Sequence, residues 1–350
     1  MDLSFISTKA LNEGNRLSVL KLQQRIAVAQ KELSSGRLAD VGRTLGARTS
    51  EAVSLRQDLS RLNTITDINA LVASRLEVSQ QALNGAQQTA QSFIGTLIAS
   101  RNTETGPAVA QTAARAALSG LTDELNTTFA GEHVFAGINT DVQPLTNYLG
   151  TPTPANRQAL LDAFAAEFGF SPSDALVASI IPSQMQSFID TTLSALFEEP
   201  EWSTTWSQAS DENVASRISV SEEIDTSANA NDVAFRKLAK SYSMLIDLGV
   251  ENMTRETYAA VVEKAITFVG EAVQDLAVVQ ANLGTSQERV TKATVKMDAQ
   301  MDILTNRINA KESVDPYDAA VRVTSLMTQL ETSYSLSARI QNLTILNYLK

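Results

Sequence analysis

The residues in this chain that could do chemistry are few. There is one histidine, His133, and no cysteine. A lone imidazole has no second His or Cys with which to share a metal, and a catalytic role would need a nucleophile or carboxylate beside it, so His133 is read as structural or superficial. Without thiols, disulfides, thiolate catalysis and Cys-ligated metals are excluded. Glu198, Glu199 and Glu201 stand together around Pro200. Two carboxylates can serve as acid and base, but a charge run at a proline reads first as a solvated loop. No G-x-G-x-x-G, G-x-x-x-x-G-K-[ST] or G-x-S-x-G phrase occurs. The chain is therefore expected to be no enzyme, with no catalytic, cofactor-binding or metal-ligating residue and no cofactor.

Composition narrows the partners. Across 350 residues the formal net charge is −11, and the isoelectric point is near 4.8. Attraction to nucleic acid or to an anionic membrane needs clustered Lys and Arg, so neither is an expected partner. No run of about 18 apolar residues exists to span a bilayer, and membrane insertion is not expected. The first 20 residues lack a basic start followed by an apolar block, so no cleavable signal peptide is expected. Hydrophobic residues make up 43% but aromatics only 5%. A chain rich in Ala, Leu, Gln, Ser and Thr with periodic stripes points to long helices.

The helices that must position any site are legible. Leu55, Leu59, Leu62, Ile65, Ile68, Val72, Leu76, Ser79, Leu83, Ala86, Ala90, Phe93 and Leu97 alternate three and four apart, a heptad seam from about Glu51 to Ser100. A second seam runs from Thr254 to about Lys311 through Leu276, Val279, Leu283, Val290, Met297, Met301, Leu304 and Ile308. The two should pair antiparallel. A shorter helix follows Gly106-Pro107, and another runs from Asn231 to Leu248, where the alternating charges of Asp232 to Lys240 suit a solvated face. Gly131 to Leu145 and Val214 to Ser227 suggest strands or tight turns. Residues 139–212 hold six of the eight prolines and both tryptophans, Trp202 and Trp206. They read as an inserted unit, helical at least in part.

Both ends carry apolar-striped helices. Phe5, Leu17, Leu20, Leu22, Ile26, Ala29 and Leu33 lead to a stop at Ser34-Ser35-Gly36. Asp315-Pro316 starts the last helix, Asp as N-cap and Pro in the first turn. Val323, Leu326, Leu330, Leu336, Ile340, Leu343, Leu346 and Leu349 form its stripe. A helix pair at the chain ends buries little surface alone and should be marginal until it packs on neighbours. Arg25, Lys31 and Arg37 beside the first stripe are read as solvating charges rather than partner contacts.

ELSSGR (Glu32 to Arg37), ANLGTSQERV (Ala281 to Val290) and SARIQNLTILNYL (Ser337 to Leu349) resemble the flagellin superfamily over roughly residues 1–140 and 215–350. Phe135 to Pro144, FAGxNTDxxP, is similar to the hook–filament junction branch of that superfamily, the FlgL type (hook-associated protein 3). The resemblance implies a mainly α fold: a long antiparallel helical bundle or coiled-coil rod formed by the N- and C-terminal halves, with a small inserted α or α+β domain. The expected division is 1–40 and 312–350 as terminal assembly helices, 41–138 and 213–311 as helical core, and 139–212 as an inserted outer domain. The resemblance further implies a structural adaptor, exported through the flagellar channel to the extracellular flagellum. Its partners would be a neighbouring hook-associated protein, flagellin, copies of itself, the export apparatus and an export chaperone. The implied assembly interface is Leu22, Ile26, Ala29, Leu33, Leu336, Ile340, Leu343, Leu346 and Leu349. Flagellin itself is the alternative, although Asp40 to Gly46, DVGRTLG, departs from the flagellin phrase at that point. An intracellular coiled-coil scaffold would explain the seams but not the two termini.

Overall fold

A computed structural model describes residues 8–342, with side chains described over 13–339. The chain divides into two compact units, residues 64–297 and the combination of residues up to 63 with those from 298 onward. The fold is mainly α, as expected. In chain order the helices are α1 (Thr8–Ser35), α2 (Val41–Leu45), α3 (Thr49–Ser100), α4 (Gly106–Leu125), α5 (Ala155–Phe168), α6 (Pro182–Phe188), α7 (Glu201–Thr205), α8 (Val233–Asp247), α9 (Arg255–Glu312) and α10 (Pro316–Asn342). Among the described residues two small hairpins accompany them, β1 (Thr128–Phe129) with β2 (Glu132–His133), and β3 (Ala215–Arg217) with β4 (Glu223–Asp225).

In the 64–297 unit the two long seams pair antiparallel. Asn69 donates to Thr294 Oγ1 at 3.0 Å, Gln80 to the carbonyl of Gln280 at 2.8 Å, and Arg101 to Glu263 at 3.2 Å, so partner numbers fall as chain number rises. Leu76, Leu83, Ala90, Phe93 and Leu97 of α3 are buried with Leu276, Val279, Leu283 and Val290 of α9. One expected seam position is wrong: Ile68 is exposed, and Asn69 takes its place, almost wholly buried. The amide earns that position by also donating to the carbonyl of Ile218 at 2.9 Å, just after β3. Apolarity alone points to Ile68; the polar partners that reward Asn69 come from far along the chain.

The helix α8 corrects a second expectation. Its charges do not form a solvated face, for it is buried on nearly every side. Lys237 pairs with Glu271 at 3.1 Å and Asp275 at 2.8 Å. Lys240 lies 3.6 Å over the ring of Phe268 and donates to Ser194 Oγ. A buried ammonium is tolerated there because the aromatic face and the hydroxyl partly replace its water. Burial still pushes the Lys240 pKa down.

The stretch 139–212 does not keep its apolar side chains to itself. Tyr148, Phe164, Phe188, Trp202 and Trp206 are fully buried and belong to the same core as α3, α4, α8 and α9. Tyr148 and Trp206 stack at 5.1 Å, and Trp202 stacks on Trp206 at 5.5 Å. Polar ties accompany them. Asp247, at the end of α8, accepts from Tyr148 Oη at 2.8 Å and from two nitrogens of Arg157 at 2.8 Å each.

The chain leaves and re-enters the helical body at one stitched point. Val134, Phe135 and Ala136 are buried. Ala230 donates to the Phe135 carbonyl at 2.9 Å, and Ser210 to that of Ala136 at 3.0 Å. Gly137 follows with φ +60°, and a side chain there would come within 2.5 Å of the Ser210 and Glu212 carbonyls. Only glycine satisfies both the dihedral and the crowding. The FAG of FAGxNTDxxP is thus the seam between the outgoing and returning strands of chain.

Glu124, near the end of α4, lies over Gly85 of α3 with its Oε2 buried and unbonded. Burial, and then the neighbouring charge of Asp123, raise its pKa to about 7. A carboxyl that binds its proton more tightly when folded contributes stability that is complete below about pH 4.5 and is lost as pH rises through 7. Allowing for solvent screening, the loss is about 1–2 kcal/mol. Glu124→Gln is therefore expected to melt higher than wild type at pH 8.5 and to match it at pH 4.5. Urea denaturation at the two pH values checks this; equal stability of the two proteins at pH 8.5 would show that Glu124 carries no such load.

Candidate functional site: the terminal helix pair and its clasp

Within the unit formed by residues up to 63 and from 298 onward, α1 and α10 pack against each other antiparallel. Ile26 and Ala29 are buried on Val323 and Leu326, with Leu22 and Leu330 half-buried at the edges. Gln23 donates to Tyr334 Oη at 2.9 Å, and Arg322 to Glu32 Oε2 at 3.0 Å, which fixes the register. Asp315 caps α10 through a 2.8 Å bond from Tyr317 N, as the Asp-Pro start predicts.

The sequence stripe divides over two faces. Leu17 and Leu20 are 55% and 46% exposed, and Val28 joins them on the side of α1 away from α10. At 100° per residue, Leu20 stands nearly opposite Leu22, so a list of apolar residues on one helix does not make one stripe. On α10, Leu336 is 51% exposed, together with Tyr317 and Val321. Of the expected interface, Leu22, Ile26 and Ala29 face inward, while Leu33 and Leu336 are exposed. The side chains of Ile340, Leu343, Leu346 and Leu349 lie outside the described residues, as does Phe5.

Glu32, which the apolar pattern passes over, is the buried residue at that end. Its Oε1 accepts from Ala39 N at 3.3 Å while Oε2 holds Arg322. This explains the ELSSGR phrase. Gly36 N closes on the Glu32 carbonyl at 2.9 Å, and Gly36 takes φ +66°, the left-handed stop that a glycine supplies at least cost. The chain then runs beside the end of α9: Leu38 N donates to the Glu312 carbonyl at 2.8 Å, and Val314 N to that of Gly36 at 2.9 Å. An antiparallel bridge joins Arg37 to Ser313. Arg37 also reaches Asn309 at 3.5 Å, so its side chain is more than a solvating charge. The connector that follows contains α2, capped by Asp40 on Arg43 N at 2.9 Å.

Glu312 is the second acid in this clasp. Its side chain is 1% exposed, it pairs with the half-exposed Arg56, and Oε1 has no bond. Lys311 pairs with Glu51 at 2.7 Å nearby. Removing Arg56 leaves a buried carboxylate uncompensated, a loss that is large for enclosed pairs and smaller here because Arg56 meets water. Arg56→Ala is expected to cost about 1–2 kcal/mol and to speed protease cleavage between residues 36 and 56. Glu312→Gln with Arg56→Ala should recover most of it. No recovery in the double variant would mean that Arg56 acts through packing alone.

The other sequence candidates find structural partners. His133 Nδ1 bonds the Asn126 carbonyl at 2.9 Å, and Arg75 of α3 holds the hairpin by the His133 carbonyl and Glu132. Glu198 and Glu199 face Arg236 at 3.8 and 3.6 Å, and Arg236 in turn lies over Trp202. Among the described residues no group of His, Asp or Glu is placed to hold a metal, and no helix is long and apolar enough to cross a membrane.

Comparison with curated protein sequences returns no match. A solved structure of a protein described as a flagellar hook-associated protein from Vibrio parahaemolyticus is similar in fold, with a TM-score of 0.53 and 8% identity. The likeness covers 76% of this chain and 97% of that one. The family model for the bacterial flagellin N-terminal helical region matches residues 6–140, and that for the C-terminal helical region matches residues 266–349. These spans contain the terminal helices, their clasp and most of the two long seams, and the chain belongs to the flagellin superfamily of structural proteins of the bacterial flagellum.

Proposed function

We propose that this protein is a junction adaptor of the FlgL type, joining hook to filament, and that it assembles through α1 and α10. The observation that carries the assembly role is the apolar surface left on both helices after they have paired, Leu17, Leu20 and Val28 on one and Leu336 on the other. The pair alone encloses only a handful of side chains, so burial against neighbouring subunits is its main source of further stability. Contacts between non-identical faces build helical or tubular layers rather than closed dimers. One edge of such a layer would meet a neighbouring hook-associated protein, and the other flagellin.

The choice of junction protein over flagellin rests on the FAGxNTDxxP phrase at Phe135–Pro144, on the connector Asp40–Gly46, and on the fold likeness to a protein described as hook-associated. Export through the flagellar channel, an extracellular position and an export chaperone follow from this reading. Immunogold labelling of isolated flagella tests it. Label confined to the hook–filament boundary is expected; label along the whole filament would make the protein a flagellin, and unlabelled flagella would remove it from the structure altogether.

A further inference from the structure

Charge is shared unevenly between the two units of this chain. Residues 64–297 carry 27 acidic against 13 basic side chains, whereas the terminal unit carries 12 against 15. The overall charge of −11 therefore combines a strongly acidic body with a weakly basic remainder. Charges of opposite sign attract across about 8 Å of physiological salt solution, and they decide which surfaces meet and in what orientation.

The basic excess has a focus at the start of α3. Lys311 holds the Glu51 carboxylate there at 2.7 Å. Arg48, immediately before α3, and Arg307, one turn before Lys311 on α9, act on the same carboxylate. Lys311 above all, then Arg48 and Arg307, hold the Glu51 pKa below the usual carboxylate range. Arg307 and Lys311, four residues apart, share one helix face. Arg48 and Arg307 are exposed, and neither forms an ion pair or a side-chain hydrogen bond among the described residues. One carboxylate among three cations leaves the patch positive, and the neighbouring Arg56 is already balanced by Glu312.

We propose that this patch, Arg48 and Arg307 with Lys311, docks the acidic 64–297 unit of a second copy of this chain. The proposal rests on the reading that copies pack into a layer, and it adds a polar contact to the apolar one of α1 and α10. Charge complementarity names the occupant: two free guanidinium forks match carboxylates, and the neighbour's body supplies those in excess. A nucleic acid is disfavoured, because the acidic body carried by the same chain repels it. The contact joins unlike surfaces, so it repeats from copy to copy rather than closing a pair.

Sedimentation of the full chain at about 50 mM and about 500 mM sodium chloride tests the proposal. Concentration-dependent self-association is expected at the lower salt, weakened about tenfold or more at the higher. Arg48→Glu with Arg307→Glu should stay monomeric alone. Labelled with a dye, that variant should still co-sediment with wild type, because its own acidic unit can sit on a wild-type patch. Should it fail to fold, Arg48→Gln with Arg307→Gln takes its place with the same pattern expected. Leu20→Asp with Leu336→Asp should keep the salt-sensitive association, which separates the polar contact from the apolar one. Association that salt leaves unchanged or strengthens overturns the proposal while the apolar reading stands. It is overturned equally by no association at low salt, by a patch variant that self-associates like wild type or fails to join it, and by binding of a DNA duplex in place of a second copy.

Discussion

Deleting residues 139–212 and closing the gap with a short linker is expected to abolish cooperative unfolding of the 64–297 unit. The deletion removes Tyr148, Phe164, Phe188, Trp202 and Trp206 from a core they share with α3, α4, α8 and α9. Fully burying a large apolar side chain is worth about 1.5–3 kcal/mol, so the sum reaches the whole net stability of an ordinary domain, about 5–15 kcal/mol. It also takes Ser194 from Lys240 and both Tyr148 and Arg157 from Asp247, the polar ties that hold α8. Far-UV circular dichroism should show a broad, early melt with dye-binding apolar surface. A sharp transition within a few degrees of wild type would mean that the stretch is a separable appendage, as its proline content first suggests.

That contrast marks what the sequence could and could not reveal. Long helices were legible because their seams repeat: Leu76, Leu83, Ala90 and Leu97 keep one face inward over many turns, and period is a local property. The cap at Asp315 was legible for the same reason, since it bonds an amide only two residues on. Glu32, Asn69 and Lys240 were not. Each is a polar residue buried by partners far away in the chain: Arg322, Ile218 with Thr294, and Ser194 with Phe268. No window of sequence contains both halves of such a contact. The shared core of residues 139–212 is hidden from the sequence likewise, because prolines report where the chain turns and say nothing of what its side chains meet. At the terminal pair, the composition of the stripe was readable, but its division between Leu22 and Leu20 needed the rotation of the helix.

The family phrases gain a physical reading from the same contacts. ELSSGR supplies a buried acid, a left-handed stop and a bridging strand residue in six positions, Glu32 to Arg37. FAG supplies two buried side chains and the one residue that fits between the Ser210 and Glu212 carbonyls. Both are places where the chain doubles back on a distant segment, and both constrain backbone more than chemistry.

In the proposed function α1 and α10 pair with each other and then assemble through the apolar surface that pairing leaves open. The most direct measurement uses Leu20→Asp with Leu336→Asp, in a strain lacking the native copy, together with the purified variant. Both positions are about half exposed in the single chain, so the substitutions add no buried charge there, and the melting temperature should stay within about 2 °C of wild type. In an assembled layer each carboxylate would be stripped of water without a partner, at a cost of several kcal/mol. A folded, stable monomer is expected, with hooks present, filaments shed into the medium and motility lost. Normal filaments and swimming with both charges in place would contradict it.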